Sequence, residues 1–229
     1  MLRVTAKTGA RSPRHIVWDW NGTLLDDNDA VVGAVNAVCT AFEREPVDIE
    51  QWRAVFSRPL QQCYERLLRR PLSADDWARL DRLYHDHYRE LLHTSRLAPG
   101  VPDALHEWSG TGGTQSLLSM WFHEELLPLV REFELDPLFT RVDGLRAEVG
   151  GGTKDSHLRA HLDALGLDPR EVVLLGDVVD DARAAEQVGT DCVLLTTGVM
   201  SRAALEATGF PVRDSIPEAL RDLDERLAA

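Results

Sequence analysis

Apolar residues change their spacing twice along this chain, and each change predicts a different kind of structure. Ile16-Val17-Trp18 is a short continuous apolar run that meets Asp19 and then a Gly22-Thr23 turn, which reads as a buried strand delivering a carboxylate into a turn. From Asp29 to about Thr94 the spacing is helical, with Val31, Val32, Val35, Val38, Cys39 and Phe42 on one stripe. Trp52, Val55, Phe56, Leu60, Tyr64, Leu67, Trp77, Leu80, Tyr84 and Leu91 continue it. Pro46, Pro59 and Pro71 divide this stretch into about four helices, and Ser73 with Asp76 resembles a helix-start box. Beyond Pro99-Gly100 short apolar runs alternate with helical stretches. The pattern predicts strands over 115–120, 139–143, 172–176 and 192–196, and helices over 101–108, 124–133, 155–165, 181–188, 201–207 and 216–227.

Alternating strands and helices imply an α/β fold whose parallel sheet is covered on both faces, here interrupted after its first strand by an all-α block. Residues 1–13 are basic and small and read as a frayed tail. Thirty-eight acidic against 25 basic residues leave a net charge of −13, which argues against a nucleic-acid or membrane-surface partner. An acidic protein with an anionic substrate must concentrate positive charge locally, and a divalent cation would do so. No apolar run reaches the roughly 18 to 20 residues of a membrane span, and the basic N-terminus lacks a signal peptide's apolar stretch. The expectation is a cytoplasmic protein. Cys39, Cys63 and Cys192 are odd in number and widely spaced, which points to core thiols and not to disulfides or zinc.

Ligands of an open parallel sheet collect at the C-terminal strand ends, so residues just after each apolar run are the candidates for chemistry. Asp19, Ser119 and Asp177 occupy such places, and Lys154 opens a helix after Gly150-Gly151-Gly152-Thr153. Lysine occurs only at positions 7 and 154 in a chain that otherwise uses arginine, so Lys154 suggests a site needing a compact ammonium. A surface lysine kept by chance is the bland alternative. Ser119 has one too, as a helix cap, and Ser116 competes with it from inside the strand.

These four positions, in this order, resemble the four motifs of the haloacid dehalogenase superfamily. Asp19-Trp20-Asn21-Gly22-Thr23 is similar to its D-x-D-G-T, and Gly176-Asp177-Val178-Val179-Asp180-Asp181 to its G-D-x-x-x-D. The resemblance implies a Rossmann-like three-layer core with a parallel sheet, over 14–25 and 98–229, and a small helical cap domain over 26–97. It implies a Mg²⁺-dependent phosphatase acting on a small phosphorylated metabolite, most like the phosphoglycolate-phosphatase group; the sequence leaves monomer or homodimer open. Asp19 would be the nucleophile. Asp19, Asp177 and the backbone carbonyl of Asn21 would hold Mg²⁺, with Asp181 an outer ligand that steadies Lys154; Asp180 is one residue out of register. Gly22, Thr23, Ser119, Met120 and Lys154 would bind the phosphoryl group.

Asn21 departs from the pattern, because the phosphatases use an aspartate there as general acid and base. An amide has no proton to give at neutral pH. Three outcomes follow: a phosphatase that handles a good leaving group or recruits His85, His87, His93 or His123; a slow or inactive relative that binds a phosphorylated ligand in a regulatory role; or another member chemistry. Asp177 and Asp181 disfavour a dehalogenase, and the lack of a lysine between Lys7 and Lys154 disfavours a phosphonate hydrolase.

Overall fold

The structure, a computed structural model, describes residues 14–146 and 153–228. In chain order its elements are β1 (His15–Trp18), β2 (Leu25–Asp26), α1 (Asn28–Ala41), α2 (Ile49–Val55), α3 (Leu60–Leu68), α4 (Ala74–Leu91), β3 (Arg96–Leu97) and α5 (Val101–Gly110). There follow β4 (Thr114–Phe122), α6 (His123–Glu132), β5 (Val142–Leu145), α7 (Lys154–Leu165), β6 (Val172–Gly176), α8 (Val179–Val188), β7 (Asp191–Leu195), α9 (Arg202–Glu206), β8 (Val212–Arg213) and α10 (Ile216–Ala228).

Six strands form one sheet in the order β5-β4-β1-β6-β7-β8, with every neighbouring pair parallel. Alternate residues of each strand face opposite sides, so the strands feed two separate cores. Ile16, Trp18, Leu117, Val173, Leu175, Val193 and Leu195 pack on one face with residues of α5, α6 and α10. Val17, Leu118, Leu174, Cys192 and Leu194 pack on the other with residues of α7, α8 and α9. This is the expected doubly covered sheet. The chain passes from β1 to β4 and β5 on one side and then crosses to β6 on the other side of β1, which leaves a crevice at the C-terminal end of β1.

The four helices α1 to α4 lie between β2 and β3, as the proline punctuation predicts. Their caps are local: Ser73 Oγ accepts from the Asp76 N–H, and Asp48 accepts from the Gln51 N–H. The two-residue strands β2 and β3 pair antiparallel, Leu25 with Leu97 and Asp26 with Arg96, where the chain leaves the sheet and where it returns.

Several boundaries differ from those expected. β4 runs on to Phe122, with an irregularity between Leu118 and Phe122, so Ser119 lies inside the strand and not past its end. The strand expected over 139–143 begins at Val142, because Pro137 sits in a short 3-10 turn, Asp136–Leu138. β2, β3 and β8 had no counterpart in the expected elements, being two residues long each. The expected tail, residues 1–13, and Gly150, Gly151 and Gly152 lie outside the described residues. Cys39, Cys63 and Cys192 are buried free thiols. Among the described residues no helix is long and apolar enough to cross a membrane.

Candidate active site

Asp19 follows β1 directly, and its backbone N–H still bonds to the Leu175 carbonyl, so the ladder aims its carboxyl into the crevice. Asp177 follows β6 in the same way, and Asp181 lies in the first turn of α8, where its Oδ2 accepts from the Val178 N–H. All three are buried, and one carboxylate oxygen of each lies within 4.8 Å of the others. Gly22 and Gly198 leave the room for this. A Cβ on Gly22, whose φ is +71°, would lie 2.5 Å from Asp177 Oδ2, and one on Gly198 would lie 1.7 Å from it.

Lys154 is the first residue of α7, a helix end where a cation is disfavoured by the dipole. Its partners explain the placement. Nζ stands 2.8 Å from Asp19 Oδ1 and also pairs with Asp181 Oδ1, all within a buried space. Burial opposes its charge, but Asp181 and Asp19 together outweigh that and hold the ammonium above its ordinary range. Asp19 is pushed up to about 6 by burial, with Lys154 opposing and Asp181 adding to the rise. Burial, followed by the charges of Asp19, Asp181 and Asp27, carries Asp177 well above the usual carboxylate range. Three buried carboxyls share one ammonium, and this excess of negative charge on hard oxygen donors suits a divalent ion such as Mg²⁺.

A cavity of about 610 Å³ opens over this cluster. It is lined by Asp19, Asn21, Gly22, Ser119, Met120, Lys154 and Asp177 from the set read in the sequence. Thr23 is fully buried and does not line it; its hydroxyl points at Asp177 Oδ1, 3.5 Å away. Asp181 does not line the cavity either and pairs with Lys154. Asp180 lines the cavity but pairs with Arg58 and Arg183, each at 3.2 Å. Of the four histidines considered as substitute acids, His85 lines the cavity and His87, His93 and His123 do not. His123 is instead buried against Gly144 and Arg146, 3.1 and 3.0 Å away. Ser116, the rival of Ser119, sits within the core and bonds to both His15 and His161 at 2.7 Å.

Asn21 has partners that its sequence context does not reveal. Its Nδ2 donates to Tyr88 Oη at 2.7 Å and to Asp27 Oδ2 at 3.1 Å, so both amide protons are engaged. Its Oδ1 faces the Ser119 hydroxyl at 3.5 Å. Asp27, the residue before α1, is buried; burial raises its carboxyl above the usual range while donors from Tyr88, Asn21 and Gly22 oppose the rise. Asp27, Tyr84, Tyr88, Trp52, Trp77 and Trp121 all line the cavity and are among the residues that sequence reasoning did not assign to it. The signal for Asp27 was a second acid in Asp26-Asp27, which reads equally as a helix start.

Comparison with known proteins agrees with this geometry. Residues 16–195 match the family model for haloacid dehalogenase-like hydrolases. The chain is 29% identical over 219 residues to phosphoglycolate phosphatase of Aliivibrio fischeri, covering 90% of this chain and 91% of that one. To phosphoglycolate phosphatase 1 of Pseudomonas aeruginosa it is 25% identical over 228 residues, covering 93% and 79%. The fold superimposes with a TM-score of 0.80 on the crystal structure of a predicted phosphatase from Clostridium acetobutylicum, at 16% identity, covering 94% of this chain and 100% of that one. The sheet order, the acid cluster at its C-terminal edge and the family match together establish that this chain belongs to the haloacid dehalogenase-like hydrolase family.

Proposed function

We propose that the protein is a phosphatase that hydrolyses a phosphomonoester through an aspartyl-phosphate on Asp19. The observation that carries this reading is the buried group of Asp19, Asp177 and Asp181 around a single ammonium, Lys154, at the floor of a cavity. A carboxylate oxygen of Asp19 attacks phosphorus, the bond from phosphorus to the ester oxygen breaks, and water then hydrolyses the acyl phosphate to restore Asp19. Lys154 offsets the charge shared by Asp19 and the phosphoryl oxygens, and the Ser119 hydroxyl and the Gly22 and Met120 backbone hold those oxygens. Asp19 and Asp177, the Asn21 carbonyl and, further out, Asp181 would hold Mg²⁺, which supplies neutralising charge to the transferring group. Residues 14–25 and 98–229 form the core domain, and 26–97 form a cap whose closure over the cavity excludes water. Similarity to phosphoglycolate phosphatases supports a small phosphorylated metabolite as substrate.

The test is phosphate release from a panel of phosphomonoesters with Mg²⁺, before and after Asp19→Asn. Loss of release in the variant, with ligand-induced thermal stabilisation kept, is expected; unchanged release would refute the role of Asp19. Asn21 favours one second reading, a protein that binds a phosphorylated ligand without turnover. That reading requires stabilisation by phosphorylated ligands with no release by the wild type, and release created by Asn21→Asp.

A further inference from the structure

The floor of the cavity is polar, but its upper walls are aromatic. Trp52, Tyr64, Trp77, Tyr84 and Tyr88 contribute from the helical block and Trp121 from β4. Their rings touch in sequence: Trp52 and Tyr64 lie 5.4 Å apart, Tyr64 and Trp77 6.3 Å, Tyr84 and Tyr88 5.9 Å, and Tyr88 and Trp121 5.0 Å. The indole N–H groups of Trp52 and Trp121 are buried without a protein acceptor among the described residues. Such a wall accommodates a flat apolar group with a polar edge.

Charge on the same walls disfavours a second anionic group on the substrate, because six carboxyls, those of Asp19, Asp27, Asp81, Asp155, Asp177 and Asp180, line the cavity against three arginine and lysine side chains. Each arginine or lysine lining the cavity is already paired: Arg58 and Arg183 with Asp180, and Lys154 with Asp19 and Asp181. Asp27 and Asp81 add unfavourable carboxyls for a substrate carboxylate. These walls favour an ester that carries no charge beyond its phosphoryl group.

Asn21 restricts the leaving group further. Both of its amide protons are held by Tyr88 and Asp27, and the carbonyl is the end that faces Ser119. In this orientation Asn21 can accept a hydrogen bond from a water but cannot donate one to a departing oxygen. An alkyl alcohol, about as weak an acid as water, leaves slowly without a proton. A phenol, with a pKa of about 10 like tyrosine's, leaves as its anion.

Resting on the phosphatase reading above, we infer that the substrate class is an aryl phosphate, the monoester of a neutral phenol. Asp19 forms its bond to phosphorus as the bond from phosphorus to the aryl oxygen breaks. The electron pair stays on the phenolate, which takes its proton from solvent. Water then cleaves the acyl phosphate, releasing phosphate and one proton.

The experiment measures kcat/KM for ring-substituted phenyl phosphates and for 2-phosphoglycolate and glycerol phosphate, in wild type and Asn21→Asp, with Mg²⁺. Phenylphosphonate and methylphosphonate are compared as inhibitors. The wild type should show a steep dependence on leaving-group acidity and only slight turnover of the alkyl esters. Asn21→Asp should raise alkyl turnover by about 10² to 10⁴, the usual worth of a general acid, and flatten the dependence. Phenylphosphonate should compete about tenfold or more better than methylphosphonate, the gain from burying one ring. If Asn21→Asp does not fold, the wild-type series and the inhibitor pair decide alone. Equal inhibition by the two phosphonates, or wild-type alkyl turnover matching the aryl rate, overturns the inference while leaving the phosphatase intact; matched rates would mean that another group lining the cavity, Asp27 or His85, delivers the proton. No release from any ester, aryl included, overturns the phosphatase reading and this inference with it.

Discussion

The hydroxyl of Tyr88, on α4, donates to Oδ2 of Asp27, just before α1, across 2.6 Å, although the two residues are 61 positions apart. Asn21 donates to both, so one small triangle joins the helical block to the turn that follows the nucleophile.

Tyr88→Phe tests that triangle. The variant keeps the ring contacts with Tyr84 and Trp121 and removes only the hydroxyl, leaving a buried carboxyl short of one donor and the Asn21 amide short of one acceptor. A loss of about 1 to 3 kcal/mol in unfolding free energy is expected from urea denaturation. Turnover should fall as well, since the Asn21 carbonyl is no longer held toward Ser119. An unchanged midpoint together with unchanged turnover would show that the triangle does neither task.

Asp177→Asn removes one charge from a crowded, buried acid cluster. Because burial and three neighbouring carboxyls raise Asp177 in the folded chain, its ionised form opposes folding when no cation is bound. The variant should therefore be more stable than wild type in EDTA, with a higher urea midpoint. Added Mg²⁺ should raise the Tm of wild type and not of the variant. Loss of stability in EDTA would contradict the crowding argument.

Gly198→Ala acts on the same carboxylate from outside. Its loop is tied down by the Thr197 hydroxyl, which donates to the Gly22 carbonyl at 2.6 Å, so an added methyl pushes Asp177 and not the loop. A fall of about 10- to 100-fold in Mg²⁺ affinity is expected, as for other disturbances just behind a metal ligand. Titration of activity against Mg²⁺ concentration would read it, and an unshifted curve would place the ion away from Asp177.

A pH effect should arise far from the cavity, in the core polar chain Thr114, His15, Ser116, His161 and Asp143, whose links are each 2.7 Å. Burial, with a contribution from His161, lowers His15 from 6.5 to about 4. The folded state thus binds fewer protons than the unfolded state between these values, and stability from this group is full above pH 6.5 and is lost as pH falls through 4. The advantage of wild type over His15→Gln should shrink by about 3 kcal/mol across that window in chemical denaturation. A pH-independent difference would mean that His15 is charged in the fold.

The positions at strand ends were legible because a parallel sheet gathers them at one edge wherever they lie in the chain. Asp19, Lys154 and Asp177 meet for that reason, with Ser119 beside them despite its place inside a longer strand. Apolar spacing also marked the helical block, since proline and serine punctuate it locally. What spacing cannot carry is contact between distant side chains. Trp52, Trp77 and Tyr84 read as ordinary stripe residues of amphipathic helices, and nothing in their periodicity separates packing from lining a cavity. The partners of Asn21 depend on how α4 docks against β1, and the pairing of β2 with β3 involves too few residues to leave a pattern.

The three thiols divide between the two parts of the molecule: Cys39 on α1 and Cys63 on α3 sit in the helical block, and Cys192 on β7 sits in the sheet. Burial raises all three, so each stays protonated and shielded until its own surroundings come apart. A chromophoric alkylating reagent would therefore act as a stopwatch with two hands, one timing the loosening of the helices and the other the rupture of the sheet.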